Sequence, residues 1–570
     1  MPYPAMSLRD VHARLTAPGS PLEMTEAVVR GERQRVWKNA PPTLRDIFLV
    51  GRSHGDKPFL VHEGERATFE ALARAAVVFA HELQKLGVRK GDRVAISTRN
   101  LPEWPATFFG TLLTGAIAVP LNAWSTGPEL QYMLVDSGAV VAVVDPERFD
   151  RIAPHLSECP DLRQVFVSRT EAAPAGARRL EDVIGATADW AALPALDLPA
   201  VEIDADDDAT IFYTSGTTGK PKGALGTHRN AASTLFARAY GKAAASLRRG
   251  EAPAVADPNA PQESTLLSVP FFHVTGCFST LVPALFAGVK IVTMRRWDAL
   301  EALKLIERER INSAGGVPTI AWQLIEHPDF EKYDTSSLLG FSYGGAPAPA
   351  DLVRRLRTAK PASALATAWG MTETSAPFTI VIGEDYETRP TTCGYALPVG
   401  EIRIVGADGQ DKPNDEAGEL WVRGPMVVKG YWRKPEATEQ TFGGGWLRTG
   451  DIAKLDDEGF CYIVDRAKDM LIRGGENIYC VEVENALAAH PDVVDAAVVG
   501  RPHKELGEEP VAVVTLKAGS QLSEADLRAF VLERIAAFKA PVSVVIRQEL
   551  LPRNANGKIL KRELRQLFVS

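Results

Sequence analysis

Short apolar runs alternate with stretches of helical period along most of the chain, and this alternation restricts the fold more than any other feature. Phe69, Leu72, Ala76, Phe79, Leu83 and Leu86 recur at spacings of three and four, the mark of an amphipathic helix. After the turn Lys90-Gly91-Asp92 comes the strand candidate Arg93–Ser97, and Ala139–Val144 is a second, apolar throughout. Residues 266–269 and 290–294 read the same way, the latter followed by a helical stretch over 299–308. Buried strands separated by helices specify mainly parallel sheets, so the expected class is α/β. At 570 residues the chain is too long for one core. Near residue 466 the character changes to a compact block with its own strands (496–499, 511–516), a helix (524–535) and a tail of six cations against two acids over 547–570. The pattern predicts a large N-terminal domain of layered α/β subdomains over 1–467 and a small, mobile α+β domain over 468–570. The charged junction Asp465-Arg466-Ala467-Lys468-Asp469 joins them. Residues 243–263, rich in Ala, Pro and charge, predict a surface loop, and 170–200 an irregular segment.

A net charge of −8 argues against a nucleic-acid partner, which would need a basic face. The five cysteines show no CxxC spacing, so neither a zinc site nor a disulfide framework is indicated, and reduced cytoplasmic thiols are expected. The start MPYPAMSLRD has no signal-peptide pattern. The apolar run 112–121 is too short to span a bilayer and is broken by Gly115 and Pro120. No transmembrane segment is expected. Peripheral contact with a membrane surface and a homodimeric state both stay open.

Residues 213–223, YTSGTTGKPKG, follow the apolar run 209–212. Three glycines, three threonines, a serine and two lysines on one loop point to phosphate: bare amides and hydroxyls donate, and lysines supply charge. The Walker A pattern fails, because Gly219-Lys220 is followed by Pro221 and Thr214 stands where its first glycine belongs. Pro221 also biases Lys220 away from helical backbone. The loop is therefore expected to act as a flexible clamp.

With its neighbours this loop closely resembles that of the adenylate-forming superfamily, which includes acyl-CoA synthetases, amino-acid adenylation domains and luciferases. Further motifs follow in the superfamily's order. They are Pro270-Phe271-Phe272-His273, Tyr343-Gly344-Gly345-Ala346-Pro347, Trp369-Gly370-Met371-Thr372-Glu373, Gly418-Glu419-Leu420 and Thr449-Gly450-Asp451. Asp465-Arg466-Ala467-Lys468-Asp469, Gly474-Gly475-Glu476-Asn477 and Pro552-Arg553-Asn554-Ala555-Asn556-Gly557-Lys558 complete the series.

The resemblance implies an ATP-dependent acyl-CoA ligase that joins a carboxylic acid to AMP and then to coenzyme A. Two anions must meet in the first step. At about 4 Å and an effective dielectric of roughly 20, unit charges repel by about 4 kcal/mol, so the site needs cations. The resemblance assigns Lys558 to stabilise charge shifting between carboxylate and α-phosphate. It assigns Thr372 to the α-phosphate and Glu373 to Mg²⁺, an ion commonly held by one or two carboxylates plus phosphate oxygens and water. Asp451 would accept from both ribose hydroxyls with Arg466 beside it, and Trp369 would stack on adenine next to Gly370 and Met371, with Gly344, Gly345 and Ala346 bordering adenine and acyl group. Thr214, Ser215, Gly216, Thr217, Thr218, Gly219 and Lys222 would grip the departing phosphates. Lys468 would be the hinge, and Gly474 and Gly475 would leave room for the pantetheine arm. His273, Val274, Gly316, Thr319 and Tyr343 would line the acyl pocket. Its segments hold no Asp, Glu, Lys or Arg, which implies a hydrophobic acid, fatty or aryl. Loading of a separate acyl carrier protein is the alternative outcome.

Overall fold

The computed structural model describes residues 3–568 other than 215–219, 256, 258, 345–349, 474–475 and 555–556. The apolar runs become parallel strands. Arg93–Ser97 lies between Ile117–Pro120 and Ala139–Val144, all parallel, within an eight-stranded sheet. Ser264–Leu267 lies between Lys290–Thr293 and Ser313–Gly316 in a nine-stranded sheet, which continues in parallel through Gly340–Gly344 and Ala364–Ala368.

Helix Phe69–Lys85 packs between these sheets. Thr68 caps it by accepting from the Ala71 amide, and Phe69, Leu72, Ala76, Phe79 and Leu83 are buried. Burial of each large apolar side chain stabilises by about 1.5–3 kcal/mol. One core joins this helix to Val94, Ile96 and Val141 of the first sheet and to Leu60, Leu267 and Ile291 of the second.

A third, antiparallel sheet comprises Glu401–Val405, Gly418–Arg423, Leu447–Leu455 and Cys461–Arg466. Its Leu420, Val422, Leu447 and Ala453 share a core with Phe341 and Leu365 of the second sheet. The fourth sheet, five-stranded, runs from Leu471–Arg473 to Ser543–Arg547 and has its own apolar clusters. The chain is thus a mixed α/β molecule with a large N-terminal and a small C-terminal part. Among the described residues no helix is long and apolar enough to cross a membrane.

The expected loop over 243–263 is corrected at its start. Residues 237–248 form helix Ala237–Arg248, with Tyr240, Ala244, Ala245, Leu247 and Arg248 buried. Arg248 concealed the helix because a guanidinium in a core-facing position reads as solvent-facing. It is neutralised by Asp385, whose carboxylate accepts from Nε at 2.8 Å and Nη2 at 2.7 Å.

Candidate active site

Strand Ser264–Leu267 marks a reversal in the order of strand addition, since the next strand in sequence lies on one side of it and the one after on the other. In open α/β sheets a crevice forms at such a point, beyond the carboxyl ends of the strands. The segments entering it carry His273 and Val274 on one side and Gly316 and Thr319 on the other. Tyr343 follows one strand further, paired in register with Gly316. Gly316 has φ +147°, and a Cβ there would lie 2.3 Å from Ser268 Oγ, so only glycine fits. Val274 and Tyr343 are buried. The His273 ring packs on Phe272 at 4.8 Å, and burial pushes its pKa down to about 3, so the imidazole is neutral. Tyr343 meets Tyr386 edge to face at 5.9 Å. None of these described residues is Asp, Glu, Lys or Arg.

Strands Asp208–Thr214 and Lys222–Thr227 pair antiparallel, with Thr214 opposite Lys222. Ser215, Gly216, Thr217, Thr218 and Gly219 lie outside the described residues. Strand Gly430–Tyr431 pairs with the outer arm, Tyr431 opposite Ala224. Lys222 Nζ lies 5.0 Å from the Tyr431 ring centre, and the Tyr431 hydroxyl donates to Glu373 Oε1 at 2.7 Å. Glu373 is 5% exposed, and burial pushes its pKa up while the Tyr431 hydroxyl opposes the shift. A buried carboxylate bordering the phosphate hairpin suits Mg²⁺, and Glu373 is the residue that would hold it. Among the described residues no cluster of three or more His, Cys, Asp or Glu offers an alternative. Thr372 opens the short 3₁₀ turn Thr372–Thr374, and Gly370–Met371 pairs with Ala376–Pro377 in the hairpin that holds it.

Asp451 and Arg466 face each other on adjacent antiparallel strands, with Arg466 Nε 3.3 Å from Asp451 Oδ1. Trp369 reaches the same carboxylate: its indole N–H donates to Oδ2 at 2.9 Å. Gly344 ends the strand before the second glycine motif. Gly345 and Ala346 lie outside the described residues, as do Gly474 and Gly475.

The turn carrying Lys558 is closed by the Gly557 amide donating to the Asn554 carbonyl at 2.9 Å and the Lys558 amide donating to Asn554 Oδ1 at 3.0 Å. Gly557 has φ +72°, and a Cβ there would lie 2.7 Å from Val317. The C-terminal turn is therefore docked on the crevice wall. Burial, then Arg466 and Lys468, push the Lys558 pKa down to about 7. Burial and Arg466 likewise lower that of Lys468. Asp451 and Asp469 oppose both shifts. If charged Lys558 is the working form, the adenylation kcat/KM should fall as pH rises through about 7. Anionic ATP restores the charge, so the limb in kcat should move to higher pH. Pyrophosphate release measured against pH checks both.

The structure thus brings together Glu373, Trp369, Asp451, Arg466, Lys468 and Lys558. Tyr431 was missed by sequence reasoning. It stands 58 residues from Glu373, and only its place in the aromatic pair Tyr431-Trp432 after Gly430 offered a signal.

The family model for AMP-binding enzymes matches residues 49–432, and that for the AMP-binding enzyme C-terminal domain matches 482–558. A feruloyl-CoA synthase of Amycolatopsis sp is 36% identical over 508 residues, 89% of this chain and 95% of the relative. The long-chain-fatty-acid–CoA ligase FadD13 of Mycobacterium tuberculosis is 34% identical over 505 residues, 88% and 93% of the two chains. Among solved structures, the anthranilate CoA ligase AuaEII in complex with anthranoyl-AMP superposes with a TM-score of 0.80 at 28% identity, covering 92% of this chain and 97% of that one. ATP-bound MatB from Rhodopseudomonas palustris gives 0.78 at 30%, covering 91% and 99%. The chain belongs to the AMP-binding enzyme family, within the adenylate-forming superfamily. Its class there is that of the acyl-CoA synthetases.

Proposed function

We propose that the enzyme activates a hydrophobic carboxylic acid, fatty or aryl, as an acyl-adenylate and transfers the acyl group to coenzyme A. The observation that carries this reading is the docking of Gly557 against Val317, which sets the Lys558 turn between the apolar crevice and the Asp451–Arg466 pair. The acid lies in the crevice with its carboxylate toward Lys558, and ATP lies with its ribose on Asp451. A carboxylate oxygen attacks the α-phosphorus, the bond to the β-phosphate oxygen breaks, and pyrophosphate leaves. Lys558 and Thr372 hold the charge that builds on the α-phosphate, and Lys222 with residues 214–219 holds the departing phosphates. Bound at Glu373, Mg²⁺ would neutralise phosphate charge.

The CoA thiol then attacks the acyl carbon, the C–O bond breaks, and AMP leaves with the oxygen. We assign Lys468, between the third sheet ending at Arg466 and the fourth beginning at Leu471, as the pivot that withdraws Lys558 and presents residues 474–475. A few residues suffice for such a rotation. The reading is supported by the uncharged crevice and by relatives named for feruloyl and long-chain fatty acids. The test is a mass-resolved assay with ATP, Mg²⁺ and a panel of aliphatic and aromatic acids, with and without CoA. Acyl-CoA with AMP is expected. Acyl-AMP that accumulates in the presence of CoA would overturn CoA as the acceptor and redirect the search to a carrier protein or another acceptor.

A further inference from the structure

Trp369 does more at this site than present a face to adenine. Its indole N–H donates to Asp451 Oδ2 at 2.9 Å, while Arg466 holds Oδ1 at 3.3 Å. Asp451 is 7% exposed, so water does not supply the missing contacts freely. A carboxylate has about four acceptor positions. The indole takes one position on Oδ2 and the Arg466 ion pair lies against Oδ1, which leaves acceptor positions on both oxygens for the two hydroxyls of a ribose. The indole is itself anchored: the Trp369 amide donates to Thr379 Oγ1 at 3.1 Å, and the ring meets Phe378 edge to face at 6.2 Å. We propose that Trp369 is a positioning residue that acts through Asp451, turning the carboxylate so that its free acceptor positions face both ribose hydroxyls. This rests on the assignment of Asp451 to the ribose.

Stacking and positioning make different predictions. A stacking ring contributes independently of Asp451, so the effects of changing the two residues would multiply. A positioning ring loses its effect once the carboxylate is gone. The test is a cycle of Trp369→Phe, Asp451→Asn and the double variant, read as KM for ATP and for 2′-deoxy-ATP in pyrophosphate release, and as Kd for AMP. Loss of a hydrogen bond to a charged group is worth about tenfold. Trp369→Phe should raise KM for ATP by that factor, lower the preference for ATP over 2′-deoxy-ATP, and change KM by less than about twofold in the Asp451→Asn background. Benzothienylalanine at position 369 keeps the fused ring and removes only the N–H, so it should reproduce Trp369→Phe even if the smaller ring perturbs folding. Equal fold-changes in both backgrounds, or an unchanged preference for ATP, would overturn the proposal while leaving adenylation intact. Wild-type protein that releases no pyrophosphate with any acid would instead overturn the adenylation reading beneath it.

Discussion

Lys558→Ala should lower the rate of acyl-AMP formation by about 10²–10³, the usual effect of removing one preorganised group that stabilises transition-state charge. Thioester formation from supplied acyl-AMP and CoA should change by less than about threefold, because the rotation proposed about Lys468 withdraws the lysine turn for that step. The asymmetry follows from placement. Lys558 sits among Arg466, Lys468 and Asp451, where burial and the two cations depress its pKa against the opposing pull of Asp451 and Asp469. Lys558→Arg keeps the charge but not the compact ammonium, so its rate should be lower throughout and should no longer fall as pH rises through about 7. Single-turnover release of pyrophosphate and, separately, loss of acyl-AMP are the measurements. An equal fall in both half-reactions would contradict the assignment of Lys558 to adenylation alone.

The second large effect is on stability. The Arg248 side chain is fully buried. It pairs with Asp385, lies 2.9 Å from Glu458 and donates to the Met6 carbonyl at 2.9 Å. Glu458 belongs to the turn joining the two strands that carry Asp451 and Arg466. The cluster therefore clamps the third sheet, and with it the Asp451–Arg466 pair, to helix Ala237–Arg248. Arg248→Met should destabilise by about 3 kcal/mol, the low end for breaking a buried pair, because the buried Asp385 carboxylate keeps only the longer contact from Arg389 Nη1 at 3.4 Å. Removing both charges in Arg248→Met/Asp385→Leu should cost less than Arg248→Met alone. Denaturant unfolding followed by fluorescence checks the comparison, and additive losses would show that the pair is not coupled.

Local order was readable and long-range pairing was not. The strands Arg93–Ser97 and Ala139–Val144 occur with the expected bounds, because apolar β-branched runs after a turn have few alternatives. The strand expected over 266–269 is instead Ser264–Leu267. Its polar start is held by Asn312 Oδ1, which accepts from the Ser264 amide at 2.8 Å, a bond made 48 residues away. The strand over 496–499 extends to Val493–His503 because its polar ends are fixed by pairing with Gly507–Leu516. The helix over 524–535 ends at Leu532.

In the site, the residue types were legible from motif order, whereas their couplings were not. Tyr431 to Glu373 spans 58 residues and Trp369 to Asp451 spans 82. No local period reports such contacts. Apolar character of the crevice could be read because it is a sum over residue types. Orientation of the Trp369 indole toward a carboxylate could not, since it depends on Thr379 and Phe378 across a hairpin.

The most direct test of the account is the fate of the acid's own oxygen. A carboxylic acid labelled with ¹⁸O in both carboxyl positions is incubated with the enzyme, ATP, Mg²⁺ and CoA, and the nucleotide is weighed. Attack of carboxylate on the α-phosphorus followed by thiolysis at the acyl carbon predicts one ¹⁸O atom in AMP and none in pyrophosphate. Unlabelled AMP, or ADP with labelled inorganic phosphate, would contradict the acyl-adenylate.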